Sequence, residues 1–521
     1  MSPRKVLLAS LTLLGLTWTA PAIAAPEPLD PIEITAAPNL IEAQPWIAPD
    51  GGQLISFKRI TPGGVQLLTE RRNGGPFADP VDLSDTGNSE SPDLSFTPDG
   101  GVYAVWGIAT TGSDAEQSIR PPGGEFSDAV TVPGCGRFSD SAAGPDGGLA
   151  LVCSYTSATV PRTSNVRFSQ LPSLGPFSLS DLNDRIQPVY DNFIDPKVAW
   201  GADGTLAFAA RYKTTITDPP PVNETTRIRI GLPDLAETAD LVQVTEPDRA
   251  ELGGLAVTPD GRVAVTYSTD AGPLLRVRPA GPVAQPYSTI PLPGEEVTEP
   301  VVEAGGDIHA MSVIQGPPRA YYANVLRDGM PAFESAPIPL AGAGDPYIPY
   351  EEGFRVAADG TEYAVIKADD GVYATSRAPG GAAFAAPVKI GSTPNANPSS
   401  AVTPDGDLLV TWIEGEPGAH RLFAGGLDET PPKVTVTSFP DRAEAGIPVE
   451  FEASAVDAMG LRSVAWPGTS ATGSGSRAAR PPTPSGSDRT GFGSSLPTGP
   501  ATRRSRQRPS WSPAGERTVT A

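Results

Sequence analysis

The sequence predicts an all-β fold that repeats one four-stranded unit, and three observations support this prediction. First, 56 glycines and 60 prolines among 521 residues interrupt the chain too often for long helices. Second, a turn signal recurs with a period of roughly 50 residues, the period of propeller blades. Third, each period holds four short apolar or alternating runs, none long enough to be a helix. Four antiparallel strands per period are typical of a β-propeller blade.

The first two strands of each unit flank the turn, which is clearest at Thr97-Pro98-Asp99-Gly100. Pro presets the first central position of such a turn, and Gly adopts the positive φ that closes the hairpin. The predicted turn centres are Asp50, Asp99, Asp146, Asp203, Asp260, Asp307, Asp359 and Asp405. Gly follows each of them except Asp307, so that copy is the weakest.

The third and fourth strands follow in the units before the last one, separated by a Gly-rich turn. One example is Gln117 to Arg120, then Pro122-Gly123-Gly124, then the run from Phe126 to Val132. The second strand, such as Val102 to Trp106, is apolar almost without interruption, which indicates burial on both faces. A solenoid of hairpins is the alternative, but it requires end caps, which the sequence does not contain.

The ends of the repeat array predict how the ring closes. Asp30 to Thr35 resembles the fourth strand at Asp79 to Ser84, whereas the last copy has no fourth strand before Thr430. We therefore predict a propeller over residues 31–427 with eight blades, in which residues 31–35 complete the blade around Asp405. Closure of this kind leaves no exposed sheet edge there. Seven blades result if the Asp307 copy merges with a neighbour.

Residues 1–24 have the pattern of a secretory signal peptide. Arg4 and Lys5 precede the apolar run from Val6 to Trp18, which is too short to span a bilayer, and Ala22-Ile23-Ala24 suits a signal peptidase. We therefore expect an exported protein, secreted or held in the cell envelope, with no transmembrane segment.

The C-terminal region changes character twice. Residues 430–466 alternate as strands of a partial β-sandwich. Residues 467–521 carry eight arginines against two acidic residues and few apolar side chains, so we expect a disordered Arg/Pro/Ser/Gly-rich tail. A natural basic tail and a shift of reading frame near Trp466 both explain the change, and sequencing the gene would distinguish them.

The chain has two cysteines, Cys135 and Cys153, and export makes a disulfide between them chemically possible. A bridge would close a loop of roughly 18 residues, worth about 3 kcal/mol in the chain-entropy model. Two buried free thiols are the alternative.

Charge and motifs exclude several functions. The net charge of −22 repels phosphate backbones, so we expect no nucleic-acid partner. The two histidines, His309 and His420, cannot build a His-rich zinc site. Walker, Rossmann and nucleophile-elbow motifs are missing, and we therefore predict no cofactor, no metal and no catalytic constellation, in a chain expected to be a monomer.

Two connections between blades, residues 184–195 and 344–353, combine aromatic rings with carboxylates. Propeller ligands bind at the mouth of the central channel, on loops of this kind. The candidate ligand-binding residues are Tyr190, Asp191, Asp195, Asp345, Tyr347, Tyr350 and Glu351. They suit a carbohydrate or another component of the cell envelope, although ordinary loop packing and solvation are the favoured explanation.

The repeat resembles the secreted bacterial β-propeller repeats written Thr-Pro-Asp-Gly, three residues, Val, any residue, Trp. Thr97 to Trp106 and Thr403 to Trp412 carry the likeness. Residues 430–466 are similar to the opening of PKD or Ig-like domains, which implies a truncated domain there because the Phe-Gly-Asp-Gly continuation is missing.

These observations predict a non-catalytic exported propeller that binds a ligand or acts as a scaffold. The first alternative is a carbohydrate-active hydrolase or lyase that uses carboxylates at the channel mouth. The second is a purely structural envelope protein.

Overall fold

The computed structural model is a β-propeller, and the residues it describes contain strands and turns but no helix. It describes residues 27–60, 65–71, 76–84, 92–108, 114–136, 139–156, 164–177, 183–186, 191–216, 222–231, 242–243, 250–281, 287–330, 332–350, 352–430, 433–438, 449–456 and 465–470. The predicted signal peptide and most of the predicted tail lie outside these residues.

The N-terminal strand β1 (Glu27–Ala37) precedes a succession of small antiparallel sheets that we number in chain order. Sheet 1 contains β2 (Leu40–Ile47), β3 (Gln53–Arg59), β4 (Val65–Arg71) and β5 (Val81–Ser84). Sheet 2 contains β6 (Asp93–Phe96), β7 (Val102–Gly107), β8 (Asp114–Arg120) and β9 (Val130–Pro133). Sheet 3 contains β10 (Ser139–Ala143), β11 (Leu149–Thr156), β12 (Ser164–Leu171) and β13 (Asn183–Ile186). Sheet 4 contains β14 (Asp191–Trp200), β15 (Leu206–Ile216), β16 (Val222–Gly231) and β17 (Val242–Gln243).

The second half of the array repeats this arrangement. Sheet 5 contains β18 (Ala250–Val257), β19 (Val263–Thr269), β20 (Gly272–Arg278) and β21 (Ser288–Pro291). In sheet 6 two short strands, β22 (Glu296–Val297) and β23 (Val301–Val302), pair with β24 (Ile308–Ile314), followed by β25 (Ala320–Leu326) and β26 (Phe333–Ile338). Sheet 7 contains β27 (Phe354–Val356), β28 (Glu362–Ala368), β29 (Gly371–Arg377) and β30 (Val388–Gly391). Sheet 8 contains β31 (Ser399–Val402), β32 (Leu408–Glu414), β33 (His420–Asp428) and, at its outer edge, β1.

One tight turn joins the first two strands of each sheet. Between β6 and β7, the Gly100 amide donates to the Thr97 carbonyl over 2.9 Å, and Gly100 has a φ of 88°. The glycines at this position all have positive φ: Gly51, Gly100, Gly147, Gly204, Gly261, Gly306, Gly360 and Gly406. Any other residue is strained in this conformation, so the glycines fix the repeat.

The predicted turn centre at Asp307 is wrong. The glycine with positive φ in sheet 6 is Gly306, and its amide donates to the carbonyl of Glu303. The turn is therefore centred on Gly305-Gly306, and Asp307 occupies the place of Gly101 in sheet 2. The Asp307 side chain bonds outside the turn: its Oδ1 accepts a hydrogen bond from the Asp328 amide over 2.7 Å.

Strand β1 closes the array. It pairs antiparallel with β33, with Ile32 opposite Ala424 and Glu27 opposite Asp428. Sheet 8 in turn packs on sheet 1, because Leu409 and Leu422 share a buried cluster with Phe57 of β3. The strand begins four residues before the predicted start at Pro31.

Buried apolar side chains fill the space between neighbouring sheets. All six residues of β7 are buried, and Trp106 packs with Leu83 of sheet 1. Burial on both faces explains the missing alternation, and a fully buried side chain of this size stabilises the fold by about 1.5–3 kcal/mol. The disulfide prediction is confirmed: Cys135 and Cys153 are bonded, fully buried, and 5.4 Å apart between Cα atoms.

The chain divides into two compact units, residues 1–441 with 450–468, and residues 442–449 with 469–521. A separate sheet has the order β34 (Lys433–Ser438), β35 (Val449–Val456) and β36 (Ala465–Ser470). Strand β36 runs four residues past Trp466, where the sequence pattern stops. The described residues contain no helix of the length and apolar character that a membrane span needs.

Candidate functional site

The first strands of the sheets begin around one cavity of about 640 Å³. Its wall comes from sheets 1 to 4 and from the segments that lead into sheets 7 and 8. The lining residues are Glu42, Ala43, Gln44, Trp46, Pro92, Asp93, Ser139, Asp140, Lys197, Pro349, Tyr350, Glu352, Ala396 and Asn397. We call this space the channel-mouth cavity. It lies at the opposite end of the first strands from the Gly turns.

One position of the repeat supplies much of this wall. The residues seven places before the turn glycines are Gln44, Asp93, Asp140, Lys197, Gly254, Glu299, Gly353 and Ser399. The first four of them line the cavity. Because these residues lie at the same distance from the turn along their first strands, the repeat itself brings their side chains to one level.

Glu42 enters the cavity from a distorted part of β2. The pairing of β2 with β3 shifts register between Ile41 and Gln44, and Glu42 has a φ of 53°. Side chains rarely adopt this left-handed conformation, and such strain collects at functional sites. The Glu42 carboxylate is exposed, 4.0 Å from the Lys58 ammonium.

Two aspartates in the wall each hold the first strand of the next sheet. Asp93 Oδ2 accepts hydrogen bonds from the amide and hydroxyl of Ser141, over 2.9 and 2.7 Å. Asp140 Oδ2 accepts from the Val198 amide over 2.6 Å. The Oδ2 atom of each carboxylate is therefore used to hold the neighbouring sheet in place. The Oδ1 atom makes no hydrogen bond to the described part of the chain.

Burial makes both aspartates hard to ionise. It raises the pKa of Asp140 well above its usual value, and the carboxylates of Asp93 and Glu299 add to this although Lys197 opposes it. Burial also raises the pKa of Asp93, against the Ser141 hydrogen bond and Lys197. The cavity thus holds two carboxyl groups that take up protons more readily than exposed ones.

Aromatic rings complete the wall. Trp46 Nε1 donates to Ser56 Oγ over 2.9 Å, which fixes the indole at the start of sheet 1. Gln315 Nε2 donates to Glu296 Oε2 over 3.0 Å and to the Tyr350 hydroxyl. Burial and the Glu296 carboxylate raise the pKa of Tyr350, so its hydroxyl stays protonated.

The structure brings together only part of the predicted site. Tyr350 lines the cavity, and the Tyr347 hydroxyl donates to Asn397 Oδ1 over 2.6 Å at its edge. Asp345 is exposed instead, with its Oδ2 atom 3.8 Å from Nη1 of Arg319.

The other predicted residues are less informative. Tyr190 and Glu351 lie outside the described residues. Asp191 and Asp195 belong to β14, of which only the backbone is described at these positions.

Sequence reasoning missed Glu42, Asp93, Asp140, Lys197 and Glu352. Aligning the repeats on the turn glycine would have found three of them, because Asp93, Asp140 and Lys197 share one position. Glu42 carries no such signal, since its placement depends on the irregular pairing of β2. Within the described residues, no group of three or more His, Cys, Asp or Glu side chains is placed to hold a metal ion.

Several solved structures are similar to this chain at low sequence identity. Neither a protein-family model nor a curated protein matches the sequence. A solved Dos1 propeller is 11% identical with a TM-score of 0.47, covering 77% of this chain and 95% of that one. An ulvan lyase of polysaccharide lyase family 25 is 9% identical with a TM-score of 0.43, covering 75% and 95%.

A structure from a study of two prolyl endopeptidases is 11% identical with a TM-score of 0.45 over 72% of this chain. The match spans about half of that protein, 54% of its length. At these identities the similarity concerns the fold alone.

Proposed function

We propose that this chain is an exported, non-catalytic propeller that binds its ligand in the channel-mouth cavity. The observation that carries the proposal is the cavity itself, with carboxylates, amides and aromatic rings on one wall. Its volume of about 640 Å³ lies in the range of small-molecule and cofactor sites. Export rests on residues 1–24, and N-terminal sequencing of the released protein tests it.

A carbohydrate without acidic groups suits this wall best. Carboxylate and amide oxygens accept hydrogen bonds from sugar hydroxyls, and Trp46 and Tyr350 offer ring faces for the apolar side of a sugar. Glu42 and Glu352 outnumber Lys197, so the wall is negative even where the two buried aspartates are protonated, and this charge disfavours uronates and sulfated sugars.

The engaged aspartates favour binding over catalysis. Asp93 and Asp140 each use one oxygen to hold the backbone of the next sheet, a structural task that restricts their movement. One observation favours the alternative, a glycoside hydrolase: a general acid needs a raised pKa, as burial provides for Asp140. Turnover of glycosidase substrates that Asp140→Asn abolishes, with folding intact, would establish the hydrolase.

Binding is tested with an array of neutral and acidic oligosaccharides, followed by titration calorimetry on the purified protein. We expect neutral oligosaccharides to bind, and Glu42→Gln and Gln44→Ala to weaken binding by about tenfold, or about 1.4 kcal/mol. Asp128→Asn is the matched control, because this carboxylate is exposed on an outer loop of sheet 2. If no glycan binds, or if the control weakens binding as much as the cavity variants, the proposal is wrong.

We further infer that the sheets form one ring of eight blades. The alternative of seven would leave out or merge sheet 6, whose first strand is divided into β22 and β23. Sheet 6 nevertheless has its own turn glycine, Gly306, and its own second, third and outer strands.

A further inference from the structure

We propose that the ligand is an oligosaccharide that leaves the channel-mouth cavity along a groove between sheets 5 and 6, with Tyr350 at the boundary. This inference rests on the proposed function and extends it from a site for one or two sugars to a site for a chain.

The groove consists of two depressions in series. The inner one, about 160 Å³, shares Tyr350 with the channel-mouth cavity. The outer one, about 280 Å³, shares Glu251, Ser268 and Glu296 with the inner one. The three spaces therefore follow one another outward from the channel, each with a wall residue in common with the next.

Glu299 belongs to the inner depression and interacts electrostatically with two residues of the cavity. It lines the inner depression, and its carboxylate acts on Asp93 and Asp140 across the cavity. Its side chain lies over Gly254, where a Cβ atom would come within 2.5 Å of Glu299 Cγ. Gly254 thus gives Glu299 the room to reach this position.

A hydrogen bond from Gln315 holds Tyr350 in place between the cavity and the inner depression. Its hydroxyl and Glu296 both accept from the Gln315 amide, so the ring is braced from the sheet 6 side. A braced ring at the boundary of two spaces offers a stacking surface to successive sugars of a chain. The hydroxyls of Ser268 and Thr298 accept from backbone amides, so the carboxylates of Asp270, Glu295 and Glu299 are the acceptors offered to ligand hydroxyls.

The groove walls suit an uncharged, hydroxyl-rich chain. They present Glu251, Asp270, Glu295 and Glu296, and among the residues that the structure describes no Lys or Arg lines either depression. An acidic polysaccharide would meet repulsion along the whole path. A cationic peptide is the competing occupant, and the experiment below includes it.

The experiment measures affinity against ligand length for the full chain. The probes are the disaccharide and hexasaccharide of six neutral series, the cello-, xylo-, manno-, malto-, laminari- and N-acetylchito-oligosaccharides, together with oligolysine. For a series that binds, we expect the hexasaccharide to bind at least about tenfold more tightly than the disaccharide. Glu295→Gln, which changes an exposed residue of the outer depression alone, should weaken hexasaccharide binding several-fold and leave disaccharide binding unchanged.

Gln44→Ala is the matched variant in the cavity and should weaken both lengths equally. Equal affinity for both lengths, or an equal effect of Glu295→Gln on both, would overturn the groove while leaving the proposed function in place. Binding of no oligosaccharide at all would overturn the proposed function itself, and binding of oligolysine alone would assign the groove to a cationic peptide. Unchanged melting temperatures show that the variants fold.

Discussion

Glu42 pairs a strained backbone with a place in the cavity wall, so stability and binding should oppose each other at this residue. A left-handed conformation costs a side-chain-bearing residue about 1–2 kcal/mol, and glycine loses about 0.5–1 kcal/mol more backbone entropy on folding. We therefore expect Glu42→Gly to raise the free energy of unfolding by about 0.5 kcal/mol and to weaken ligand binding.

Urea denaturation and calorimetry on the same samples measure the two effects. Asn39→Gly is the control, because Asn39 has a φ of 58° but does not line the cavity. Asn tolerates this conformation, so its replacement should change stability little. A loss of stability in Glu42→Gly would mean that the carboxylate contributes more to folding than its strained backbone costs.

Asp140 should make the folded state less stable as the pH rises. Burial raises its folded pKa above the unfolded value of 3.8. The protonated carboxyl therefore makes its full contribution to the stability of the folded state below pH 3.8. That stability is lost as the pH rises through the folded pKa. Asp140→Asn should therefore become progressively more favourable in urea unfolding, relative to the natural chain, as the pH rises above 3.8.

Asp99 provides a comparison of opposite sign. The Thr97 hydroxyl donates to Asp99 and lowers its pKa, so its ionised form stabilises the fold above pH 3.8 and this stability is lost as the pH falls. The destabilisation caused by Asp99→Asn should thus grow as the pH rises towards 3.8 and level off above that value. Parallel trends in the two variants would contradict the proposed burial of the Asp140 charge.

At the scale of the element, the disulfide secures the crossover from sheet 2 to sheet 3. Cys135 lies just before β10, and Cys153 pairs with Ser139 at the start of that strand. For a loop of 18 residues the chain-entropy model gives about 3 kcal/mol. The double variant Cys135→Ala/Cys153→Ala should lose about this much in urea unfolding.

The reduced natural chain controls for the volume lost by the substitutions, since it keeps both sulfur atoms. It should lose a similar amount of stability. If the double variant is destabilised but the reduced chain is not, packing rather than the cross-link stabilises this crossover.

The turns show which elements the sequence could predict. Local chemistry determines them, so Gly100 or Gly406 could be recognised without any tertiary information. The sheet 6 turn was misplaced because Asp307 imitates the turn signal, although Gly305-Gly306 satisfies the same backbone geometry. Asp307 occupies this position because its carboxylate accepts hydrogen bonds from the Arg327 guanidinium and the Asp328 amide. These partners lie about 20 residues away, so no local sequence pattern predicts the contact.

At the scale of the whole molecule, closure by β1 was predictable because it follows from counting strands: one spare at the start and one missing at the end. The cavity was less predictable. It depends on which side chains several distant repeats bring to one level, and on the irregular pairing of β2. Of the three predicted site residues whose side chains are described, Tyr347 and Tyr350 belong to it or to its edge, and Asp345 does not.

Removing β1 should open the ring. Deletion of residues 27–37 exposes the edge of β33 and the apolar side chains of Leu422 and Leu409, so we expect a lower melting temperature and concentration-dependent association. Analytical ultracentrifugation measures the association. A synthetic peptide of residues 27–37 added in excess should reverse both effects, and a monomeric deletion variant of unchanged stability would show that β1 is dispensable.

Both ends of the propeller leave it on the same side. Glu27 lies opposite Asp428, and Asp407, next to the turn glycine Gly406, accepts from the Glu429 and Thr430 amides over 3.0 Å. A linker or affinity tag joined at either end, or inserted in any of the glycine turns, would thus emerge on the side opposite the channel-mouth cavity. Immobilised in that way on a bead or sensor chip, the protein would present the channel-mouth cavity to the solution.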